Sequence, residues 1–257
     1  EKGGAVPAAV LAEGTTLINN AAIEPEITQL AEFLTKMGAK INGTGTNTLE
    51  ISGVDELHST EVTTIPDRIE SGTLLTAAAI TGSNITLTET SSEYMQAVLL
   101  KLEDCGCRIS RGQNQISIEA KNIELNPVSI TTSIYPGFPT DMQAQWTALM
   151  SVVNGVSTVT DTIYFDRFKH VPELNRLGAQ IVLDQNTAII TGVKKLKGAK
   201  VMSTDLRASA SLVLAGLIAE GTTEVLRVYH LDRGYQRIEE KLKSLGADIR
   251  RVESKEY

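Results

Sequence analysis

Apolar positions recur along this chain with the period of an α-helix in some segments and of a β-strand in others. The same order of predicted helices and strands occurs four times. An apolar helix is predicted first, then a strand, an amphipathic helix that ends at a glycine, and two short closing strands. The helix-ending glycines, Gly38, Gly106, Gly178 and Gly246, are 68, 72 and 68 residues apart. The phrase AEGTT also occurs twice, at 12–16 and at 219–223. The pattern therefore predicts one unit of about 70 residues in four copies.

The elements of each copy follow from these periods. The fourth copy shows them best, with Asp205 and Asp232 as predicted N-caps of its two helices. The predicted helices are 5–13, 26–37, 72–80, 92–104, 141–153, 171–177, 206–220 and 233–245. The predicted strands are 15–19, 85–88, 115–118, 158–165, 180–183, 188–191, 222–229 and 247–252. The fold class is α/β, built from repeated βαβαββ units.

The repeats also divide the chain. Three of them, 67–257, form one predicted domain, and 1–66 is the last repeat of another domain, with a linker at 62–66 that ends in proline. The chain opens inside its own repeat and without methionine. We therefore expect that upstream sequence, the N-terminal part of the same protein, is missing.

Composition and charge narrow the kinds of partner. The net charge is -7 and the chain has no basic block, so nucleic acid is not an expected partner. No apolar run approaches the roughly 18–20 residues of a membrane span. Cys105 and Cys107 cannot complete a four-ligand zinc site, and we expect no metal or cofactor. Two reduced cysteines suit a cytoplasmic location.

Equivalent helices of parallel repeats point the same way, so their N-termini are expected to meet at one end of the domain. Helix N-termini carry unpaired N–H groups and partial positive charge, which favour anions. Arginines there would add guanidinium groups, which can bind a carboxylate or a phosphate through two parallel hydrogen bonds. The charged residues predicted at this end are Asp67, Glu70, Asp141, Arg167, Asp205, Arg207 and Arg233. The alternative for each is a capping or solvated charge, and His170 and His230 are interpreted as structural.

Four segments resemble signatures of the UDP-N-acetylglucosamine 1-carboxyvinyltransferases, a family of enolpyruvyl transferases. They are PDRIESGT at 66–73, FPTDMQAQ at 138–145, TDLRASAS at 204–211 and YHLDRGY at 229–235. The resemblance runs from about 11 to 252. It implies an inside-out α/β barrel with pseudo-threefold domains. It also implies transfer of the enolpyruvyl group of phosphoenolpyruvate to the 3-hydroxyl of UDP-N-acetylglucosamine, with release of phosphate, for peptidoglycan synthesis, cell shape and cell division.

The resemblance also implies roles for single residues. Asp141 would contact the sugar hydroxyl as the candidate base, and Asp205 would lie near the reacting carbons. Arg207 and Arg233, with Arg167, would bind phosphoenolpyruvate. Further substrate contacts are implied for Thr140, Ile163, Tyr164, Leu206, Glu24, Glu26, Asp67 and Glu70.

Some positions depart from the family pattern. Ile23 stands where the family usually has Arg, and Phe165-Asp166 stands where it has Glu-Asn. The family's Lys-Asn pair and its loop with a reactive Cys would lie upstream of residue 1. No residue here takes the general-acid role, and we expect the chain alone to be inactive.

Two other interpretations stay open at this point. One is the shikimate-pathway enolpyruvyl transferase, which shares the fold and phosphoenolpyruvate. The other is a non-catalytic, truncated module that binds a ligand or partner without turnover.

Overall fold

The computed structural model describes residues 4–253. The chain divides into two compact units, Glu1–Pro66 and Asp67–Tyr257. Each unit has its own hydrophobic core and is described by itself.

Eight α-helices lie in the described part of the chain: α1 Ala5–Val10, α2 Pro25–Lys36, α3 Arg68–Thr81, α4 Gln96–Asp104, α5 Gln143–Met150, α6 Val171–Arg176, α7 Leu206–Gly216 and α8 Ile238–Ser244. Three of the short 3-10 helices are Ser92–Met95, Thr140–Met142 and Val228–Arg233. The described strands are β1 Thr15–Asn19, β2 Lys40–Asn42, β3 Thr48–Ser52, β4 Asn84–Thr88, β5 Arg108–Gly112, β6 Gln115–Glu119, β7 Ile130–Thr131, β8 Val156–Thr160, β9 Gln180–Asp184, β10 Thr187–Thr191, β11 Lys200–Met202 and β12 Glu224–Leu226.

In the first unit, helices α1 and α2 pack against the sheet β1-β3-β2. Strand β3 pairs antiparallel with both neighbours, and its residue Ile51 is fully buried. The extended segment before Pro66 is tied to α2 by Gln29, which donates to the carbonyl of Thr63 and accepts from the N–H of Ile65.

The same sheet order recurs in the next two copies. The second unit contains β4-β6-β5 and β8-β10-β9, each with the last strand of its copy in the middle. Strand β7 adds to the second of these in parallel, beside β8. In the fourth copy the sheet is reduced to the parallel pair β11-β12.

The predicted helix-ending glycines have one conformation in all four copies. Gly38, Gly106, Gly178 and Gly246 have φ between 95° and 109°, a region that side chains with a Cβ rarely adopt. After each glycine, the next N–H bonds back to a carbonyl in the last turn, as from Ala39 to Leu34 and from Ala247 to Leu242. This is a Schellman ending, in which the glycine lets the chain turn and the orphan carbonyls find donors.

Helices α3, α5 and α7 pack against one another in the core of the second unit. Every residue of α5 is buried, as expected of a helix that neighbours cover on all sides. Trp146 on α5 is fully buried, meets Phe138 edge to face at 5.6 Å, and donates from its indole N–H to the carbonyl of Val128 at 3.0 Å. This packing places the N-terminal ends of α5 and α7 beside each other.

Most predicted elements of the first three copies are present with shifts of a few residues. Strand 15–19 is found as predicted, while no bounds were predicted for β2, β3, β5, β7 and β11. Strand 158–165 is too long, because β8 ends at Thr160 and the chain then turns at Asp161. Helix 141–153 begins at Gln143 and ends at Met150.

The fourth copy departs most from prediction. Helix 206–220 ends at Gly216, where Thr223 packs 3.2 Å from the place a Cβ would take. Strand 222–229 is wrong beyond Leu226, because its partner β11 has three residues and Arg227 takes a φ of 57°. Helix 233–245 is wrong over 233–237, since the helix begins only at Ile238.

The closing strand 247–252 is not present in the described part of the chain. Arg251 instead forms a two-pronged ion pair with Asp232 at 2.6 and 2.9 Å and a further pair with Glu239. Asp232 is therefore a partner of the C-terminal segment and not the N-cap of a helix.

Candidate active site

Asp141 lies at the entrance to α5, in the 3-10 turn Thr140–Met142. Its carboxylate is held from two sides. Arg167 approaches Oδ1 with Nη1 at 2.6 Å, and Arg207 donates to Oδ2 from Nη2 at 2.8 Å. No side-chain capping bond is made at the start of this turn or of α5. The capping interpretation of Asp141 is therefore wrong.

The charges around Asp141 decide its protonation. Burial alone would raise the pKa of its carboxyl. The two guanidiniums outweigh burial through charge and hydrogen bonds, so the pKa lies below its ordinary value. Burial disfavours the charged form of Arg207, but Asp141 and Tyr235 together more than compensate and raise its pKa. At neutral pH the cluster is one carboxylate between two cations.

The loop after β8, which carries Arg167, is held in place by a buried carboxylate, Asp161. Its two oxygens accept from the hydroxyls of Thr132 at 2.7 Å and Thr140 at 2.6 Å, and from the N–H groups of Ile163 and Tyr164 at 2.9 Å each. The Thr140 hydroxyl in turn accepts from Arg167 at 3.1 Å. Asp161 thus shapes the loop after β8 and the entrance to α5 together.

The guanidinium of Arg207, on α7, is held by a buried tyrosine. Arg207 Nη1 donates to the Tyr235 hydroxyl at 3.3 Å, and its guanidinium carbon lies 5.8 Å from the ring centroid. Tyr235 is only 1% exposed and follows the 3-10 helix Val228–Arg233. Its contacts reach α3 through Thr73 and α5 through Gln145.

Asp205 is the N-cap of α7. One carboxylate oxygen accepts from the N–H groups of Arg207 and Ala208, both at 2.9 Å, as the sequence predicts for a cap. The charge of Asp205 acts on the pKa of the buried His170. Burial lowers the pKa of His170 to about 4; Asp205 opposes this shift and Arg167 adds to it. His170 is therefore a neutral, buried residue, and its Nε2 has no partner in the described part of the chain.

The N-terminus of α3 carries two predicted site residues. Asp67 caps the helix by accepting from the N–H groups of Ile69 and Glu70 at 2.8 and 3.0 Å. Glu70 is half-buried and forms an ion pair with Lys241 on α8. Both carboxylates are therefore engaged within the protein.

The structure does not join Arg233 to the cluster. Its side chain is exposed and forms no ion pair with any residue of 4–253, so the predicted convergence holds for Arg167 and Arg207 only. Ile163 and Tyr164 are exposed on the loop that Asp161 shapes. Leu206 is half-buried and packs against Gly234.

Glu24 and Glu26 belong to the first unit. Glu24 precedes α2 without a side-chain capping bond, and Glu26 lies exposed in its first turn. Within residues 4–253 no group of His, Cys, Asp or Glu side chains is placed to hold a metal ion. The same residues include no helix that is long and apolar enough to span a membrane.

Sequence reasoning missed the four residues that hold the cluster: Asp161, Tyr235, Thr73 and Gln145. Thr73, Gln145 and Tyr235 stood inside the signature segments without a role. The available signal was polarity at positions that the periodicity assigns to the interior, since buried polar groups need partners. Asp161 gave a second signal, as an acidic residue inside the predicted strand 158–165, where a charge is out of place.

One family model matches this chain over most of its length. The family model for EPSP synthase (3-phosphoshikimate 1-carboxyvinyltransferase) matches residues 4–242, and the chain belongs to this family. Three curated relatives, each named UDP-N-acetylglucosamine 1-carboxyvinyltransferase, are 58% (Chloroherpeton thalassium), 57% (Chlorobium chlorochromatii) and 59% (Chlorobium phaeovibrioides) identical over 255 residues. These alignments cover 99% of this chain and 59%, 60% and 60% of the relatives. The chain spans about three-fifths of the length of the curated relatives it matches.

Solved structures give the same fold. The enolpyruvyl transferase NikO from Streptomyces tendae matches with a TM-score of 0.86 at 29% identity, over 96% of this chain and 59% of that chain. An EPSP synthase from Acinetobacter baumannii matches with a TM-score of 0.70 at 19% identity, over 96% and 60%, which speaks for the fold alone. The predicted α/β class is confirmed, as an enolpyruvyl transferase-like fold.

Proposed function

We propose that this chain is a catalytic part of a UDP-N-acetylglucosamine 1-carboxyvinyltransferase. The reaction moves the enolpyruvyl group of phosphoenolpyruvate to the 3-hydroxyl of UDP-N-acetylglucosamine and releases phosphate. The shared name of relatives at 57–59% identity supports the substrate pair. The observation that carries the chemistry is the Asp141 carboxylate between Arg167 and Arg207. Roles in peptidoglycan synthesis, cell shape and cell division, and a cytoplasmic location, belong to the same proposal and rest on the resemblance.

Asp141 is the proposed general base. A base must be ionised, and the two arginines keep the pKa of Asp141 low enough for that at neutral pH. The same low pKa makes it a weak base while both cations remain paired with it. Phosphoenolpyruvate carries a carboxylate and a phosphate, either of which is a better partner for a guanidinium fork than one shared carboxylate. When such an anion takes over Arg167 or Arg207, the pKa of Asp141 rises toward its ordinary value and its basicity recovers.

The other site residues stay proposals. Arg207 and Arg167 bind the anion, and Arg233, whose exposed guanidinium is unpaired within residues 4–253, is available to join them. The Asp205 oxygen that is not used for capping is the candidate carboxylate near the reacting carbons. Substrate contacts are proposed for Thr140, Ile163, Tyr164, Leu206, Glu24, Glu26, Asp67 and Glu70 from the resemblance.

The finer architecture is also a proposal. We expect 67–257 to form an inside-out barrel with a pseudo-threefold axis, and 1–66 to be the last repeat of a first domain. The shared helix endings and the recurring sheet order support the repeats. The division of the chain after Pro66 supports the boundary.

The test is a chimera that joins this chain to the part of the Chloroherpeton thalassium relative that the alignment does not cover. We expect phosphate release from phosphoenolpyruvate with UDP-N-acetylglucosamine and none with shikimate 3-phosphate. The reverse preference would establish the shikimate-pathway alternative. A folded chimera that binds either substrate without turnover would support a non-catalytic module. The isolated 257-residue chain is expected to release no phosphate.

A further inference from the structure

We propose that Tyr235 is a positioning residue for Arg207, so that its phenolic oxygen sets the direction of the cation that faces Asp141. This inference rests on the proposed function, because Arg207 is there a substrate-binding residue. The starting observation is that three polar side chains, one from each of the helices α3, α5 and α7, surround one buried hydroxyl. Tyr235 Oη lies 2.9 Å from Thr73 Oγ1, 3.2 Å from Gln145 Nε2 and 3.3 Å from Arg207 Nη1.

The direction of each hydrogen bond follows from what each group can donate. A guanidinium has no acceptor, so the Tyr235 oxygen accepts from Arg207. Thr73 has one hydroxyl hydrogen, which it gives to the carbonyl of Ile69 at 2.8 Å. Thr73 therefore accepts from Tyr235. With its own hydrogen directed at Thr73, Tyr235 turns its two lone pairs toward Gln145 and Arg207.

This arrangement leaves Arg207 with few other constraints. Its Nη2 donates to Asp141, and its buried Nε has no partner within residues 4–253. The Tyr235 hydroxyl and ring are thus what hold the guanidinium on the side away from Asp141. An anion that replaces Asp141 would meet a guanidinium that is already oriented, which reduces the entropy lost on binding.

Tyr235 also links Arg207 to the other two central helices. Thr73 lies on α3, Gln145 on α5 and Arg207 on α7. Thr73 accepts from Gln145 as well, at 3.0 Å, so the three helices share one network. A purely structural role of this network would change the stability of the unit and leave the motion of the Arg207 guanidinium unchanged. The proposed role requires its hydroxyl.

The experiment measures rotation of the Arg207 guanidinium by ¹⁵N NMR of the 257-residue chain without ligand. The Arg207 signal is assigned from its loss in Arg207→Lys. In Tyr235→Phe the ring stays and the hydroxyl goes. We expect rotation to accelerate by about tenfold or more, in line with the loss of a hydrogen bond to a charged group. Tyr229→Phe, an exposed tyrosine on the adjacent 3-10 helix, is the matched control and should leave the rate unchanged.

A second pair of variants covers a failure of Tyr235→Phe to fold. Thr73→Val removes the acceptor for the tyrosine hydrogen and should also accelerate Arg207, while Thr73→Ser keeps a hydroxyl and should restore the rate. A rotation rate in Tyr235→Phe within twofold of the wild type overturns the proposal. Equal rates in Thr73→Val and Thr73→Ser overturn it as well.

Titration with inorganic phosphate separates this inference from the proposed function. We expect the phosphate Kd to weaken by about tenfold in Tyr235→Phe. If the wild-type chain binds no phosphate, the anion site of the proposed function is contradicted. The ligand-free rotation rates still decide the role of Tyr235.

Discussion

Asp141 shows how one side chain can depend on contacts far away in sequence. An Asp just before an apolar helix predicts an N-cap, yet the carboxylate of Asp141 contacts Arg207, 66 residues further along the chain. Two cations stabilise a carboxylate more than the partial charge of a helix end does, because they carry full charges in a half-buried place. The consequences of changing Asp141 are therefore both chemical and structural.

The first prediction concerns Asp141→Asn in the chimera. An amide cannot accept the hydroxyl proton, so we expect kcat to fall by about 10²–10⁴. The amide also leaves Arg167 and Arg207 without a counter-charge, so the free energy of unfolding should fall too. Phosphate-release kinetics at a temperature where circular dichroism shows the variant fully folded isolate the chemical effect. Turnover within a few-fold of the parent would show that Asp141 is not the base.

The second prediction concerns His170 and pH. Its folded pKa of about 4 lies below the ordinary 6.5, so between these values the unfolded state binds a proton that the folded state does not. The contribution of His170 to the free energy of unfolding is therefore fully present above pH 6.5. It is lost as the pH falls toward 4, at up to about 1.4 kcal/mol per pH unit. The variant His170→Gln should lack that part of the slope. Urea unfolding at several pH values, followed by the fluorescence of Trp146, measures it, and equal slopes in both proteins would contradict the assignment.

At the scale of elements, the amphipathic helices of the four copies end by one mechanism. A glycine with positive φ follows each of them, and the next N–H returns to the last turn of the helix. Side-chain space is not the constraint at Gly178, because a Cβ there would meet no atom within 4 Å. The requirement for glycine at this position is thus purely one of backbone conformation.

The third prediction tests that requirement at Gly178. Gly178→Ala should lower the free energy of unfolding by about 1 kcal/mol, because alanine is strained at positive φ. Gly178→Asn is the matched control and should cost less, since asparagine tolerates the left-handed region better. Urea unfolding curves of the two variants provide the measurement. An alanine variant at least as stable as the asparagine variant would contradict the explanation.

At the scale of the whole molecule, the two compact units have separate cores. The core of Glu1–Pro66 is built from its own residues, such as Val10, Leu34 and Ile51. Among residues 4–253, the clusters of the second unit likewise consist of residues of that unit. A core that is complete within one unit is what independent folding requires.

The fourth prediction is that a fragment of residues 67–257 folds by itself. Trp146 is the only tryptophan of the chain and lies in this unit, so its fluorescence reports on the fragment alone. We expect one cooperative unfolding transition in urea, which coincides when followed by fluorescence and by circular dichroism. A gradual change without a transition would show that 67–257 depends on residues outside it.

The sequence by itself determined the features that arise from neighbours along the chain. Glycine at the end of an amphipathic helix, alternation in a short strand and an Asp before an apolar helix are local signals. They located the helix endings, most strands of the first three copies and the capping of α7 by Asp205. They failed in the fourth copy. There the short partner β11 limits β12, and Arg251 pairs with the Asp232 that local rules assigned to a helix cap.

The tertiary structure alone decided what the site residues touch. The motifs placed Asp141, Arg167 and Arg207 near one end of the unit, but not the pairing of Asp141 with both arginines or the absence of Arg233 from that pairing. Asp161 holds the loop that carries Arg167, and Tyr235 holds the guanidinium of Arg207, yet neither had an assigned role. The physical reason is that a buried polar group takes the partner that packing brings within about 3 Å of it. Which partner that is depends on how α3, α5 and α7 pack together, and no local pattern of residues encodes that distance.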